Sequence, residues 1–327
     1  MTLVSRALVV ALLALGAAPA GSSAGTYDVY SCSLPNGEPA PTEGWSAETR
    51  GSDANAYNGC GEFVITRGSL NASFAPYAAS GDYAGWVFSA PSDVTIGSYT
   101  IWRWVRTASR NGGFQDYYLS HDLPFSLDPR YLSEFCSRYA SCSERGAPNG
   151  NHLVAANRVA RSGLQIKRLN AFLQCRLAGA TRCDSTEEAG RLSIFAARFG
   201  FSDLMAPVLR ARPSGSLLQA TAPLEGETTI SFAASDRGGG IEKVGVVIDG
   251  QPRLERAADP NAARCHRPFT ALKPCPAASD NTLVFDTATL PNGAHTVQAS
   301  VTDAAGNETR SDPVTVTTRN GSRPNGR

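Results

Sequence analysis

Apolar and polar residues alternate in short runs along most of this chain, and the runs are separated by Gly, Pro, Asn, Asp and Ser. No helical period lasts more than about two turns, so the pattern predicts strands rather than helices. The alternation is clearest towards the C-terminus. In "TTISFAASDRGGG", Ile230, Phe232 and Ala234 fall on one face and the hydroxyl residues on the other. "IEKVGVVIDGQ" places Val244, Val246 and Ile248 together and ends at Asp249-Gly250, a hairpin signal. Val297, Ala299 and Val301 alternate in a longer strand, and "DPVTVTT" closes the set. One wet and one buried face per strand is the signature of an antiparallel sandwich.

Strands are also expected earlier, in "YDVYSCS", "GEFVITR", "AGWVFSAPSDVTIGSYTIWRWVRT", "DYYLS", "LQIKRLNAFLQCR" and "RLSIFAARFGF". A chain of 327 residues exceeds one usual domain. The boundary is placed at "FSDLMAPVLRARPSGSLL", around residues 203–215, where an aspartate and two prolines interrupt the strand pattern. The expected division is a signal peptide at 1–24, a β-sandwich at 25–206, a second at 207–318 and a polar tail at 319–327.

"GGGIEKVGVVIDGQ", "LPNGAHTVQASVTDAAGN" and "DPVTVT" resemble the immunoglobulin-like modules of bacterial surface and stalk proteins, with V-x-D-x-x-G-N before a last strand. The resemblance covers about residues 207–318, and the chain departs from it by the insertion "RLERAADPNAARCHRPFTALKPCP". The N-terminal part resembles a concanavalin-like jelly-roll of exported proteins from high-GC Gram-positive bacteria. That likeness rests on "WVFSAPSDVTIGSYTIWRW", a late cysteine pair and a final strand running into D-x-x-A-P. Together they imply an all-β protein, a jelly-roll followed by an immunoglobulin-like sandwich, with glycan or surface binding rather than a known enzymatic activity.

The first residues, "MTLVSRALVVALLALGAAPAGSSAG", carry Arg6, an apolar run and then small residues. This reads as a secretory signal cleaved after Ala24, because about a dozen apolar residues fall short of the roughly 20 that span a bilayer. No later segment reads as a transmembrane span, and the expected location is extracellular. Eight cysteines in an exported chain read as disulfides. Sequence neighbours suggest Cys32–Cys60, Cys136–Cys142, Cys175–Cys183 and Cys265–Cys275, although spacing alone leaves connectivity open. No C-x-x-C pair exists and only His266 lies near a cysteine, so a zinc site is not expected.

A net charge of +1 excludes nucleic acid as the main partner, which would require a basic footprint. The stretch from Arg130 to Arg182 is locally basic, with Glu134 and Glu144 its only acids. In "SYTIWRWVRT", Trp102, Trp104 and Arg106 share one face of a strand. Paired indoles stack on sugar rings or fill a core, and both readings stay open; Tyr117 joins the candidate ligand-binding set. The four histidines are scattered, the G-x-S-x-G letters at Gly21–Gly25 fall in the signal, and no strand shows alternating acids. No catalytic residue and no cofactor are assigned. Asp236, Asp303 and Asn307 offer oxygen ligands for calcium, but such residues also cap turns, and no metal is expected. The reading is a secreted binding or adhesion protein with an extracellular polysaccharide or cell-surface glycan as partner. The alternatives are a secreted polysaccharide hydrolase and a purely structural surface protein.

Overall fold

The computed structural model describes residues 25–61, 68–74, 77–107, 109–110, 113–137, 142–149, 151–177, 182–184, 190–261 and 264–321. The expected signal segment (1–24), most of "GEFVITR" and the end of the tail lie outside them. The protein is all-β, as the alternation predicts, with three short 3-10 turns as the only helical elements among the described residues.

Residues 25–203 build two main sheets. One runs Glu144–Arg145, Thr95–Arg106, Arg191–Asp203, Gly25–Ser33, Pro39–Ala40, and Arg158–Ile166 extends the edge beside Thr95–Arg106. The other runs Leu132–Ser137, Gly113–His121, Arg168–Leu177, Tyr83–Ser89, Trp45–Arg50. All of these pairings are antiparallel. Ile96, Ile101 and Phe199 from the first sheet meet Phe88, Leu119 and Leu173 from the second in one core. The rings of Phe88 and Phe199 stack across it with centroids 3.5 Å apart. Each such side chain, fully buried, contributes roughly 1.5–3 kcal/mol.

The inward face of Thr95–Arg106 also carries a charge. Arg103 is 4% exposed, and its guanidinium grips both carboxylate oxygens of Glu134 on the facing sheet. Its remaining nitrogen reaches the carbonyls of Ala156 and Asn157 at 3.4 and 3.5 Å. A buried arginine tolerates such a site only when its donors are matched.

Residues 208–318 form two further sheets. Val208–Leu209, Glu227–Ser235 and Ala278–Asp286 make one; Gln251–Ala257, Ile241–Ile248, Gly293–Asp303 and Glu308–Arg310 make the other, with Val314–Thr318 also paired to Gly293–Asp303. Ile230, Phe232, Val244, Val246, Ile248, Val297, Ala299 and Val301 fill the space between them. The hairpin expected at Asp249-Gly250 is present, and both residues have positive φ, 52° and 78°. Asp249 accepts from Thr296 N–H at 2.9 Å and pairs with His295 Nδ1 at 2.7 Å.

The insertion does not hang free. Phe269 is 1% exposed and belongs to the N-terminal core, beside Tyr27. Its carbonyl accepts from Tyr30 N–H at 2.8 Å, and Leu272 O accepts from Tyr27 Oη, also at 2.8 Å. All four disulfides join the sequence neighbours: Cys32–Cys60, Cys136–Cys142, Cys175–Cys183 and Cys265–Cys275. No cysteine is left unpaired, which accords with an extracellular setting. No helix of the described residues is long and apolar enough to cross a membrane.

Arg103→Ala, which strands Glu134, should destabilise the chain by about 3–5 kcal/mol in urea unfolding. A double Arg103→Met, Glu134→Leu variant should recover most of that loss; equal destabilisation in both would show that the ion pair is not the reason. His295 gives a pH signature. Its pKa is raised, chiefly by the hydrogen bond to Asp249, and that of Asp249 is lowered, chiefly by the bond to His295. A raised histidine stabilises fully below its unfolded value near 6.5 and loses this as pH rises through the folded value. A lowered aspartate stabilises above its unfolded value near 3.9 and loses this in acid. The loss of unfolding free energy in His295→Gln, measured by urea unfolding, should therefore peak between about pH 4 and 6.5 and shrink by pH 9, at about 1 kcal/mol or less because Asp249 is half-exposed.

Candidate functional site

Alternation along Thr95–Arg106 decides which side chains look outward. Tyr99, Ile101 and Val105 enter the core, so Ser98, Thr100, Trp102, Trp104 and Arg106 take the opposite face. The two indoles share that face, as the spacing implies, but differ in exposure. Trp104 is 9% exposed, and its Nε1–H donates to Glu144 Oε1 at 2.5 Å. Trp102 and Arg106 are half-buried. Tyr117 must be removed from the ligand-binding set: it is wholly buried between the sheets, where burial drives its phenol pKa well up.

Beside Trp102 lies an open groove of about 250 Å³, lined by Ser98, Tyr99, Thr100, Arg158, Ala160, Arg161, Ser162 and Arg198. Strand register explains its composition. Arg158 pairs with Trp102, Ala160 and Arg198 flank Thr100 on either side, and Ser162 pairs with Ser98. Arg198 is held by Asp28 at 2.6 Å, and Arg161 donates to the carbonyls of Ala160 and Ser133. Arg158 is exposed and makes no ion pair with a described carboxylate. The groove thus presents the Arg158 and Arg198 guanidinium groups and several hydroxyls next to one partly exposed indole, with Arg161 at the sheet edge turned towards Ser133 of the second sheet. Its residues come from three strands far apart in sequence, so only the general basic character of residues 130–182 signalled it.

A second arrangement escaped the sequence. His121 Nε2 lies 2.7 Å from Ser133 Oγ and 3.2 Å from Tyr99 Oη, and the Tyr99 hydroxyl also bonds to Ser133. Burial holds the His121 pKa below its ordinary value. No described carboxylate hydrogen-bonds its other ring nitrogen, and the imidazole is 5% exposed. The three side chains form a polar bridge from one sheet to the other.

The third cluster sits where the two halves meet. Asp203 ends the strand Arg191–Asp203, Asp236 follows Glu227–Ser235, and Asp303 ends Gly293–Asp303. All three are buried, and one oxygen of each lies within 4.8 Å of the others. Desolvation, reinforced by the neighbouring carboxylates, raises the pKa of Asp303 to about 6 and pushes that of Asp236 upwards. Burial first, and then the same three charges, raises the Tyr27 phenol too. Asp236 and Asp303 were candidate calcium ligands; Asp203 was not, although an aspartate closing a strand just before Pro207 was visible. Asn307 plays another part. Its Nδ2 donates to Asp303 Oδ2 and to Asp203 O, and its Oδ1 accepts from Gly25 N–H.

No protein-family model matches the chain, and no curated protein matches it. Among solved structures it is similar to the glycoside hydrolase domain of Endo-D from Streptococcus pneumoniae R6, at 13% identity and a TM-score of 0.23. That likeness covers 84% of this chain and 37% of the other, so the chain spans little more than a third of that domain's length. The fibronectin(III)-like modules of CbhA from Clostridium thermocellum match at 11% identity and a TM-score of 0.27, over 74% of this chain and 87% of theirs. Dimeric latent PorU from Porphyromonas gingivalis matches at 12% identity and a TM-score of 0.23, over 86% of this chain and 25% of its own. Likenesses at these scores assign neither architecture nor activity.

The glycines of "SDRGGG" are required by the carboxylate cluster. A Cβ on Gly238 would lie 1.7 Å from Asp203 Oδ2, and Gly240 has φ +86° with Cys275 O in the path of a Cβ. Gly238→Ala should cost about 1–3 kcal/mol in chemical unfolding, whereas Gly306→Ala, strained only by its positive φ, should cost about 1 kcal/mol. A harmless Gly238→Ala would mean that the loop is not pressed against Asp203.

Proposed function

We propose that the protein is an exported, non-enzymatic binding protein that recognises an acidic extracellular glycan or cell-wall polymer. The outer face of the first N-terminal sheet is its binding surface, and the C-terminal half is an immunoglobulin-like module that spaces or docks it. The observation that carries this reading is the groove lined by Arg158, Arg161 and Arg198, in which Arg158 is the cross-strand neighbour of Trp102. Guanidinium forks match carboxylate and phosphate groups in bidentate geometry, and an indole supplies a flat apolar face for a sugar ring. Ser98, Thr100 and Ser162 add hydroxyls that exchange hydrogen bonds with a polyol. A hydrolytic role is not favoured, because glycosidases need two opposed carboxyl groups and this lining supplies none.

The test is binding of the full chain to a panel of soluble and insoluble polysaccharides, neutral and acidic, at two salt concentrations. Acidic polymers should bind and weaken as salt rises. Trp102→Ala and Arg158→Ala should each lower affinity about 10-fold or more while leaving Tm near that of the parent, because neither side chain is part of the core. Binding to no polymer, or binding unchanged in both folded variants, would remove the groove as the site. Release of reducing sugar that survives purification to homogeneity would favour the hydrolase reading instead.

A further inference from the structure

Three carboxylates buried together create an electrostatic problem that the protein's own groups leave unsolved. Asp203 Oδ1 and Oδ2 accept from the N–H groups of Met205 and Gly239 at 3.0 and 2.9 Å. Asp303 Oδ1 accepts from Ala305 and Asn307, and its Oδ2 from the Asn307 side chain. Asp236 Oδ2 accepts from Gly240 at 2.7 Å. Asp236 Oδ1 is buried, in a residue only 5% exposed, and has no hydrogen-bond partner. Among the described residues no Arg, Lys or His forms an ion pair with any of the three. The nearby guanidinium groups are engaged elsewhere: Arg237 with Asp93, and Arg267 with Glu242 and the Ala304 carbonyl. Backbone dipoles reduce the repulsion but bring no full positive charge, and buried charges are ordinarily paired or bound to a metal.

We propose that Asp203, Asp236 and Asp303 bind a single calcium ion that ties the N-terminal half of the protein to the C-terminal half. The donor set decides the class of ion. It consists of carboxylate oxygens with no thiol or imidazole, which suits hard cations and not zinc or copper. Calcium fits better than magnesium because it loses its water readily and accepts irregular, carboxylate-rich coordination completed by carbonyls or water. The ligands come from one strand end in the N-terminal half and, in the C-terminal half, from the end of Gly293–Asp303 and the residue just after Glu227–Ser235. The ion therefore clamps a junction that already holds the Thr26 N–H to Ala305 O bond and the packing of Tyr27 near Gly239.

The experiment uses the full chain after exhaustive chelation. Calorimetric titration with calcium should show one site with a Kd of about 1 mM or tighter. Tm should rise with calcium concentration, since an ion held 100-fold above its Kd shifts the folding equilibrium about 100-fold. Magnesium at the same concentration should do much less. Asp236→Asn should abolish the calcium response, yet in chelator it should be at least as stable as the parent, because it removes an unneutralised buried charge. If that variant does not fold, terbium luminescence of the parent chain decides, with sensitised emission through Tyr27 that calcium displaces. The proposal is overturned if calcium changes neither heat nor Tm, the result expected where protons alone neutralise the cluster. It is equally overturned if magnesium matches calcium, or if Asp236→Asn keeps the full calcium response.

Discussion

The placement of Phe269 inside the N-terminal core is the contact on which the arrangement of the whole molecule depends. Its ring, which removes about 150–250 Å² from water, lies edge-on to Tyr27, with the Arg267 guanidinium 4.7 Å from its centre on another side. A parallel bridge to Val29 and hydrogen bonds to Tyr30 and Tyr27 fix the backbone around it. The Cys265–Cys275 disulfide closes the loop that presents it, and Cys275 and Ala304 enter the same core. The two halves are thus not beads on a string: a segment of the second completes the hydrophobic interior of the first.

That contact positions the acidic junction. Once the loop is docked, the ends of Arg191–Asp203 and Gly293–Asp303 are held side by side, and "SDRGGG" folds over them because its glycines leave room for the Asp203 carboxylate. The same economy of space shapes the opposite end of the sheet. Arg103 turns inward to Glu134 while Trp102 and Trp104 turn outward, so one strand contributes both to the interior and to the groove. Glu144 decides the fate of one member of the outward pair, accepting from Trp104 Nε1–H, while Trp102 stays half-buried.

Much of this was legible in the order of residues. Period-two alternation marked Ile230, Phe232 and Ala234 as a buried row, and Asp249-Gly250 as a turn, because both properties belong to a few adjacent residues. Cysteines that pair with sequence neighbours are similarly local: spacing suggested the four pairs and left their connectivity open, and the structure joins those same pairs. Asp236 and Asp303 were recognisable as oxygen donors at strand ends. Their partner Asp203 was not, since it lies in the other half of the chain and is brought to them by packing alone.

The sequence by itself therefore determined that the chain is all-β, where most strands and turns fall, and which side chains share a face, because pleat geometry ties these to immediate neighbours. Only the tertiary structure decided which faces are covered. Tyr117 looks like an aromatic neighbour of the tryptophans in sequence, but its strand belongs to the opposite sheet and its ring is buried there. The groove of Arg158, Arg161 and Arg198, the inter-sheet bridge from Tyr99 to His121 and Ser133, and the meeting of three aspartates all join residues distant along the chain. Burial is a property of what packs on a surface, and that partner is chosen by the fold as a whole.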